Sequence, residues 1–160
     1  MAVISDTHMP RGPRRLPDRC LELLRDADAI LHAGDFMALS VLRDLQALGP
    51  PVHAVYGNVD DGLLRAALPE RAVIPFGDVN IAMIHNAGQR TGRLDRLRRM
   101  FPGTDAVIFG HSHMPEHDAR DGFQIFNPGS PTERRRAPTK TMGMATIEAG
   151  SISFELVHLT

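Results

Sequence analysis

An α/β fold with parallel strands is predicted by three features of the chain. The first 56 residues alternate short apolar runs with segments of helical periodicity, each run ends in a polar or glycine-containing break, and the later half adds more short apolar runs separated by turn residues. Strands alternating with helices in this way pair in parallel through right-handed crossovers. The 160 residues suffice for one domain with a real core and fall short of two ordinary ones, so a single domain over residues 1–160 is expected.

The elements follow in order. Residues 2–4 form the first apolar run, which stops at Ser5-Asp6-Thr7-His8 and gives way to a Pro/Gly/Arg loop over 10–15. Pro17 suits the opening of a helix on which Cys20, Leu23, Leu24 and Ala27 share a face, and a second strand begins at Ala29-Ile30-Leu31. Gly34-Asp35 breaks that strand. Ala38, Val41, Leu42, Leu45 and Leu48 then mark a helix that Gly49-Pro50-Pro51 stops before a third strand over 52–56. Gly57-Asn58-Val59-Asp60 leads into a short helix with Asp60 or Asp61 as its cap, closed by Pro69. Residues 72–76 and 79–84 flank Gly77-Asp78 as a hairpin ending at His85. A helix is expected over 91–100, a buried strand over 106–109, and short strands over 123–126, 141–147 and 152–156, the last two joined at Gly150-Ser151. The segment 128–138 reads as a long loop.

Composition narrows the chemistry. With 18 basic and 19 acidic residues the net charge is −1, too small to draw the whole protein to nucleic acid or an anionic membrane. No run approaches the ~18 uninterrupted apolar residues of a membrane helix, and the expected location is the cytoplasm. Cys20 is the only cysteine, which excludes an internal disulfide and a cysteine-rich zinc module. Eight histidines make imidazole and carboxylate chemistry the place to look.

That chemistry collects at the breaks: Asp6-Thr7-His8, Gly34-Asp35, Gly57-Asn58, His85 and Gly110-His111-Ser112-His113. The C-terminal edges of parallel strands converge on one crevice, so these dispersed segments can meet. In extended backbone Asp6 and His8 would point to one side, as would His111 and His113. Glycines 34, 57 and 110 are expected to supply tight turns beside them. Three oxygen donors (Asp6, Asp35, Asn58) and four imidazoles (His8, His85, His111, His113) are too many for one tetrahedral ion and suit two divalent ions of higher coordination. Such a pair favours in-line displacement at phosphorus.

In this order the five motifs resemble the calcineurin-like metallophosphoesterases, most of all their small YfcE-type phosphodiesterases, and the resemblance extends to Asn127-Pro128-Gly129-Ser130. It implies a four-layer α/β/β/α sandwich with two central mixed sheets. It implies that Asp6, His8, Asp35 and His113 hold one ion and Asp35, Asn58, His85 and His111 the other, with Asp35 as the bridge. Asp35, Asn58 and His111 would be the catalytic residues among them, and metal-bound hydroxide the nucleophile on a phosphoester. Manganese is the first expectation, with Fe, Zn, Co or Ni suited to the same donors. The sequence departs from the family at Val59, where many members of the wider superfamily carry a histidine, and at Asn86, where a glycine is common. Asn86 could touch phosphate or permit a tight turn.

Two other readings compete. A non-catalytic scaffold would resemble the retromer subunit Vps29, against which the complete ligand set argues. A nuclease on short RNA or DNA would use the arginines at 90, 93, 96, 98 and 99 or at 134–136, though solvated faces explain both groups better. Nucleic acid is therefore not favoured as a partner, and homo-oligomerisation is left open. His32, His53, His117 and His158 read as packing or surface residues, with His32 also a candidate to orient a ligand. Cys20 reads as a small core hydrophobe.

Overall fold

The computed structural model describes residues 1–159. Strands β1 (Ala2–Ile4), β2 (Ile30–His32) and β3 (Val52–Ala54) pair in parallel, connected by α1 (Asp18–Arg25) and α2 (Leu39–Gln46). Strands β9 (Lys140–Glu148) and β10 (Ser151–Leu159) return at the end of the chain to place β9 antiparallel to β1, in the order β10-β9-β1-β2-β3. Ala149 and Gly150, at φ 49° and 74°, form the tight turn between β9 and β10.

The second sheet opens after α3 (Gly62–Ala67) with the hairpin β4 (Arg71–Phe76) and β5 (Val79–Ile84). Then come α4 (Arg93–Met100), β6 (Ala106–Ile108), β7 (Glu116–Arg120) and β8 (Phe123–Asn127). Its order is β4-β5-β6-β8-β7, parallel at its centre and antiparallel at both edges.

Alternation along the strands builds the layers. Val3 and Leu31 face Ile81, Met83, Ile108 and Phe126 between the sheets. Their neighbours Ala2, Ile4 and Ile30 face outward onto Cys20, Leu24, Val41, Leu45 and Leu64 of α1, α2 and α3. On the far side Ala82, Ile84, Val107 and Ile125 pack against Leu94, Leu97 and Phe101 of α4. The result is the predicted four-layer α/β/β/α sandwich with two mixed sheets. Burial of each large aliphatic side chain, such as Leu24 or Leu97, contributes about 1.5–3 kcal/mol.

Three details differ from the sequence reading. Strand β7 was not expected, because Glu-His-Asp-Ala-Arg has no apolar alternation; it is an exposed edge strand, held by its ladder to β8 and by His117 against Phe126 and Phe154. The third strand ends at Ala54, although the buried Val55 continues its line. The arginines of α4 are not simply a solvated face: the Arg93 and Arg98 guanidinium groups lie over Phe109 and Phe123, Arg93 pairs with Glu116, and Arg96 donates to the Ala87 and Gln89 carbonyls.

Candidate metal centre

All seven candidate ligands follow strands that end at one edge of the sandwich: Asp6 and His8 after β1, Asp35 after β2, Asn58 after β3, His85 after β5, His111 and His113 after β6. Backbone bonds join these endings. The Asp6 N–H donates to Gly34 (2.9 Å) and the His8 N–H to Asp35 (3.0 Å) in the first sheet, and the Gly110 N–H to His85 (2.9 Å) in the second.

The extended geometry expected around these residues is not what brings them together. Asp6, His8, Asp35, His111 and His113 all have φ between 45° and 71°, in the left-handed region. Each such non-glycine residue costs about 1–3 kcal/mol and persists only where its surroundings hold it. This backbone sends His111 and His113 to different groups. Asp6, His8 and His113 form one cluster, and Asp35, His85 and His111 form the other.

Glycine acts differently from expectation at two positions. Gly34 does turn with positive φ, but Gly57 and Gly110 do not. A Cβ on Gly57 would overlap the Asp35 carboxylate, and one on Gly110 would overlap Ser5 and the Asp6 carboxylate. Close approach to the acids excludes a side chain there.

Each aspartate is held through one oxygen and leaves the other free. Asp6 Oδ2 accepts from the Ser5 hydroxyl (2.7 Å) and the His111 N–H (3.0 Å), while Asp35 Oδ1 accepts from the Val59 N–H (3.0 Å). The free Asp6 Oδ1 lies 3.3 Å from His113 Nε2 and 3.8 Å from His8 Nε2, and all three atoms are buried without a hydrogen-bond partner. In the second cluster Asp35 Oδ2 is 3.1 Å from His85 Nε2, and Asn58 Oδ1 is 3.0 Å from that nitrogen and 2.9 Å from His111 Nδ1. Asp35 Oδ2 also lies 3.3 Å from His8 Nε2, so one carboxylate oxygen touches both clusters. Atoms bound at ~2.1 Å to a common ion sit ~3–3.5 Å apart, so the donor set fits divalent metal. His85 Nδ1–H donates to the Ala33 carbonyl (2.8 Å), which fixes the tautomer and leaves Nε2 to face the cluster.

The electrostatics follow. Burial disfavours a charged His8, but the Asp35 and Asp6 carboxylates outweigh it and raise its pKa to about 9. Burial opposes ionisation of Asp35 as well, yet His8 and His85 hold it far below the ordinary carboxylate range. For His113 burial prevails and lowers its pKa.

Sequence reasoning missed Asp60 and Thr132 among the residues that brace this edge. Of the two cap candidates only Asp61 caps α3, accepting from the Leu64 N–H (2.9 Å). Asp60 turns inward and is buried: Oδ2 accepts from the N–H groups of Asp35 (3.0 Å) and Gly57 (2.7 Å), and Oδ1 from Met37 (2.8 Å). Ser130 donates to the Asp6 carbonyl, Thr132 to that of Thr7, and Asn127 to that of Gly110, so the late motif supports the ligand-bearing loops. Its only sequence signal was Asn127-Pro128-Gly129-Ser130 itself. His32 accepts from the Gly34 N–H at Nδ1, lies 3.2 Å from the Thr7 hydroxyl at Nε2 and stacks on Phe36, buried between the loops that carry Asp6 and Asp35. Asn86 makes a turn, accepting from the Gly88 N–H (2.8 Å).

Residues 1–150 match the calcineurin-like phosphoesterase superfamily domain. The chain belongs to that superfamily. A probable metallophosphoesterase from Methanothermobacter thermautotrophicus is 30% identical, over 99% of this chain and 91% of its own. A phosphodiesterase from Methanocaldococcus jannaschii is 23% identical, over 81% and 82%. Among solved structures, wild-type Vps29 from Entamoeba histolytica complexed with zinc superposes with a TM-score of 0.75 at 26% identity, over 98% and 97%. Superfamily membership and the two clusters support divalent-metal-dependent phosphoester hydrolysis as the general chemistry. No helix among residues 1–159 is long and apolar enough to cross a membrane.

Proposed function

We propose that this calcineurin-like phosphoesterase is a phosphodiesterase that works with two divalent ions, manganese first among them. The observation that carries the proposal is Asp35 Oδ2, which lies within 3.3 Å of His8 Nε2 and 3.1 Å of His85 Nε2 and so joins two donor clusters into one site. Asp6, His8, Asp35 and His113 would hold one ion; Asp35, Asn58, His85 and His111 the other. When bound, the pair supplies a low-pKa water and neutralises charge developing at phosphorus.

The chain's own residues set the rest. Asp35, fixed through Oδ1 by the Val59 N–H, holds the spacing of the two halves. Asn58 and His111, paired at 2.9 Å, form the more exposed side of the centre, where a phosphoester can approach. The preference for diesters rests on Val59, half-exposed beside Asn58, which has no proton to give a poor leaving group. The relative named as a phosphodiesterase supports the same preference. Cytoplasmic residence and a phosphoester substrate belong to the same proposal.

The second reading, a scaffold of the Vps29 kind, is favoured by the fold likeness. That neighbour is itself described as complexed with zinc, so turnover rather than metal binding separates the readings. The test is hydrolysis of bis(p-nitrophenyl) phosphate and p-nitrophenyl phosphate by chelator-stripped protein before and after manganese is restored. Turnover is expected only after restoration and faster on the diester. Undiminished turnover in stripped protein overturns the metal mechanism, and absence of turnover in fully loaded protein favours the scaffold.

A further inference from the structure

The rim of the metal centre is chemically lopsided. On the Asn58 side the exposed groups include two large apolar ones, Val59 and Leu63, with Asp61 between them. The one cation there, Arg65, is committed to the carbonyls of Asp60, Gly57 and Asn58 and lies over Tyr56. Glu70 shares the small groove on that side with Asn58 and His85, which makes it unfavourable for an anion.

On the His113 side a cavity of about 400 Å³ is lined by Ser112, Met114, Arg135 and Arg136. Ser112 and Met114 flank the buried His113 in the chain, and one Glu133 oxygen lies 3.5 Å from His113 Nδ1 and 3.9 Å from Arg135 Nε, which places this lining one side chain away from the first donor cluster. Arg135 reaches no carboxylate closer than Glu133 at 3.9 Å, and that carboxylate stands between it and His113 Nδ1 (3.5 Å) while pairing more closely with Arg14 (3.0 Å). Arg136 makes no hydrogen bond or ion pair among the described residues. By contrast Arg134 beside them donates to the Ala137 and Pro138 carbonyls, and Arg93 and Arg96 of α4 are likewise committed. Two guanidinium groups without close partners, a hydroxyl and a half-exposed methionine surround one concavity next to the reacting centre. Guanidinium matches phosphate oxygens bidentately, and methionine adapts to an apolar linker.

We infer that this cavity is a subsite for a second phosphate, so that the preferred substrates are phosphodiesters that carry another phosphate group on one side of the scissile bond. The inference rests on the phosphodiesterase reading for its substrate, but the subsite is separately measurable as a binding site. The apolar rim at Val59 and Leu63 then receives the uncharged side of the diester.

Two measurements on wild type and on the Arg135→Gln/Arg136→Gln double variant test it. The first is calorimetric binding of thymidine 3′,5′-bisphosphate and thymidine 5′-monophosphate to chelator-stripped protein. Wild type is expected to bind the bisphosphate at least tenfold more tightly and the variant to lose that margin. The second is manganese-loaded hydrolysis of a thymidine dinucleotide with and without a terminal phosphate, alongside bis(p-nitrophenyl) phosphate. The terminal phosphate should raise kcat/KM about tenfold in wild type only, with bis(p-nitrophenyl) phosphate turnover changed less than twofold by the substitutions. Equal binding of both nucleotides by wild type, or an unchanged margin in the variant, overturns the subsite. A binding margin that depends on the arginines, together with no diester turnover, upholds the subsite and overturns the phosphodiesterase reading instead.

Discussion

Replacing Asp60 by asparagine should destabilise the protein and loosen the metal centre while changing no candidate ligand. The carboxylate accepts three backbone N–H bonds at 2.7–3.0 Å, from Gly57, Met37 and Asp35, and is only 5% exposed. An amide of the same shape has one accepting oxygen, and its NH₂ must face either the Met37 N–H or the pair from Asp35 and Gly57. Hydrogen bonds to a charged group contribute about 1.5–3 kcal/mol, and an orphaned buried donor costs about 1–3 kcal/mol, so roughly 3 kcal/mol is expected for Asp60→Asn. At ~2–4 °C per kcal/mol for a chain of this size, the melting temperature falls by about 6–12 °C. Asp60→Ala orphans all three donors and approaches the whole stability of an ordinary domain, which makes asparagine the informative change. Because Asp60 ties the Asp35 loop to the Gly57 loop, manganese affinity should weaken at least tenfold. The assay is thermal unfolding of stripped protein followed by calorimetric metal titration. An unchanged melting temperature with unchanged affinity would refute the bracing role.

His32, kept neutral by burial with a pKa of about 3 against ~6.5 in the unfolded chain, refuses a proton that the unfolded chain accepts. Stability of stripped protein should therefore fall as pH drops from about 6.5 towards 3, and a His32→Gln variant with the same pH slope in its urea midpoint would count against this. His8, held protonated at neutral pH by Asp35 and Asp6, must surrender its proton to bind metal as neutral imidazole, so metal titrations near pH 7 should show heats that depend on buffer ionisation enthalpy. Heats independent of buffer would show that His8 is not a ligand. Val59→His at matched metal content should speed hydrolysis of esters with poor leaving groups by less than the ~10²–10⁴-fold typical of general acids. Wild-type rates indifferent to leaving-group pKa, with chemistry rate-limiting, would remove the weight placed on Val59.

Much of this architecture was legible because burial writes itself into spacing. The strands ending before Asp6, Asp35 and His85 are apolar runs buried on both faces, and their polar endings marked the site. What stayed hidden lacks that signature. Strand β7 buries almost nothing, so no alternation announces it. The left-handed backbone at Asp6, His8, Asp35, His111 and His113 is imposed by tertiary bonds, which a spacing argument built on extended strands cannot see. Asp60 carries two possible roles in sequence, helix cap or buried acceptor, and only the arrival of Asp35, Met37 and Gly57 from separate loops decides between them. Gly57 and Gly110 were noticed for conformational freedom when the constraint is the space taken by the two carboxylates.

The joining of two metal-binding halves through Asp35 is tested most directly by counting ions per chain, by elemental analysis after manganese loading, in wild type, Asp35→Ala and the distant control His53→Ala, with folding checked by circular dichroism. Wild type and His53→Ala should each hold two ions and hydrolyse bis(p-nitrophenyl) phosphate at similar rates, while folded Asp35→Ala should lose occupancy at both positions together with its turnover. Two ions and undiminished turnover in Asp35→Ala would contradict the account.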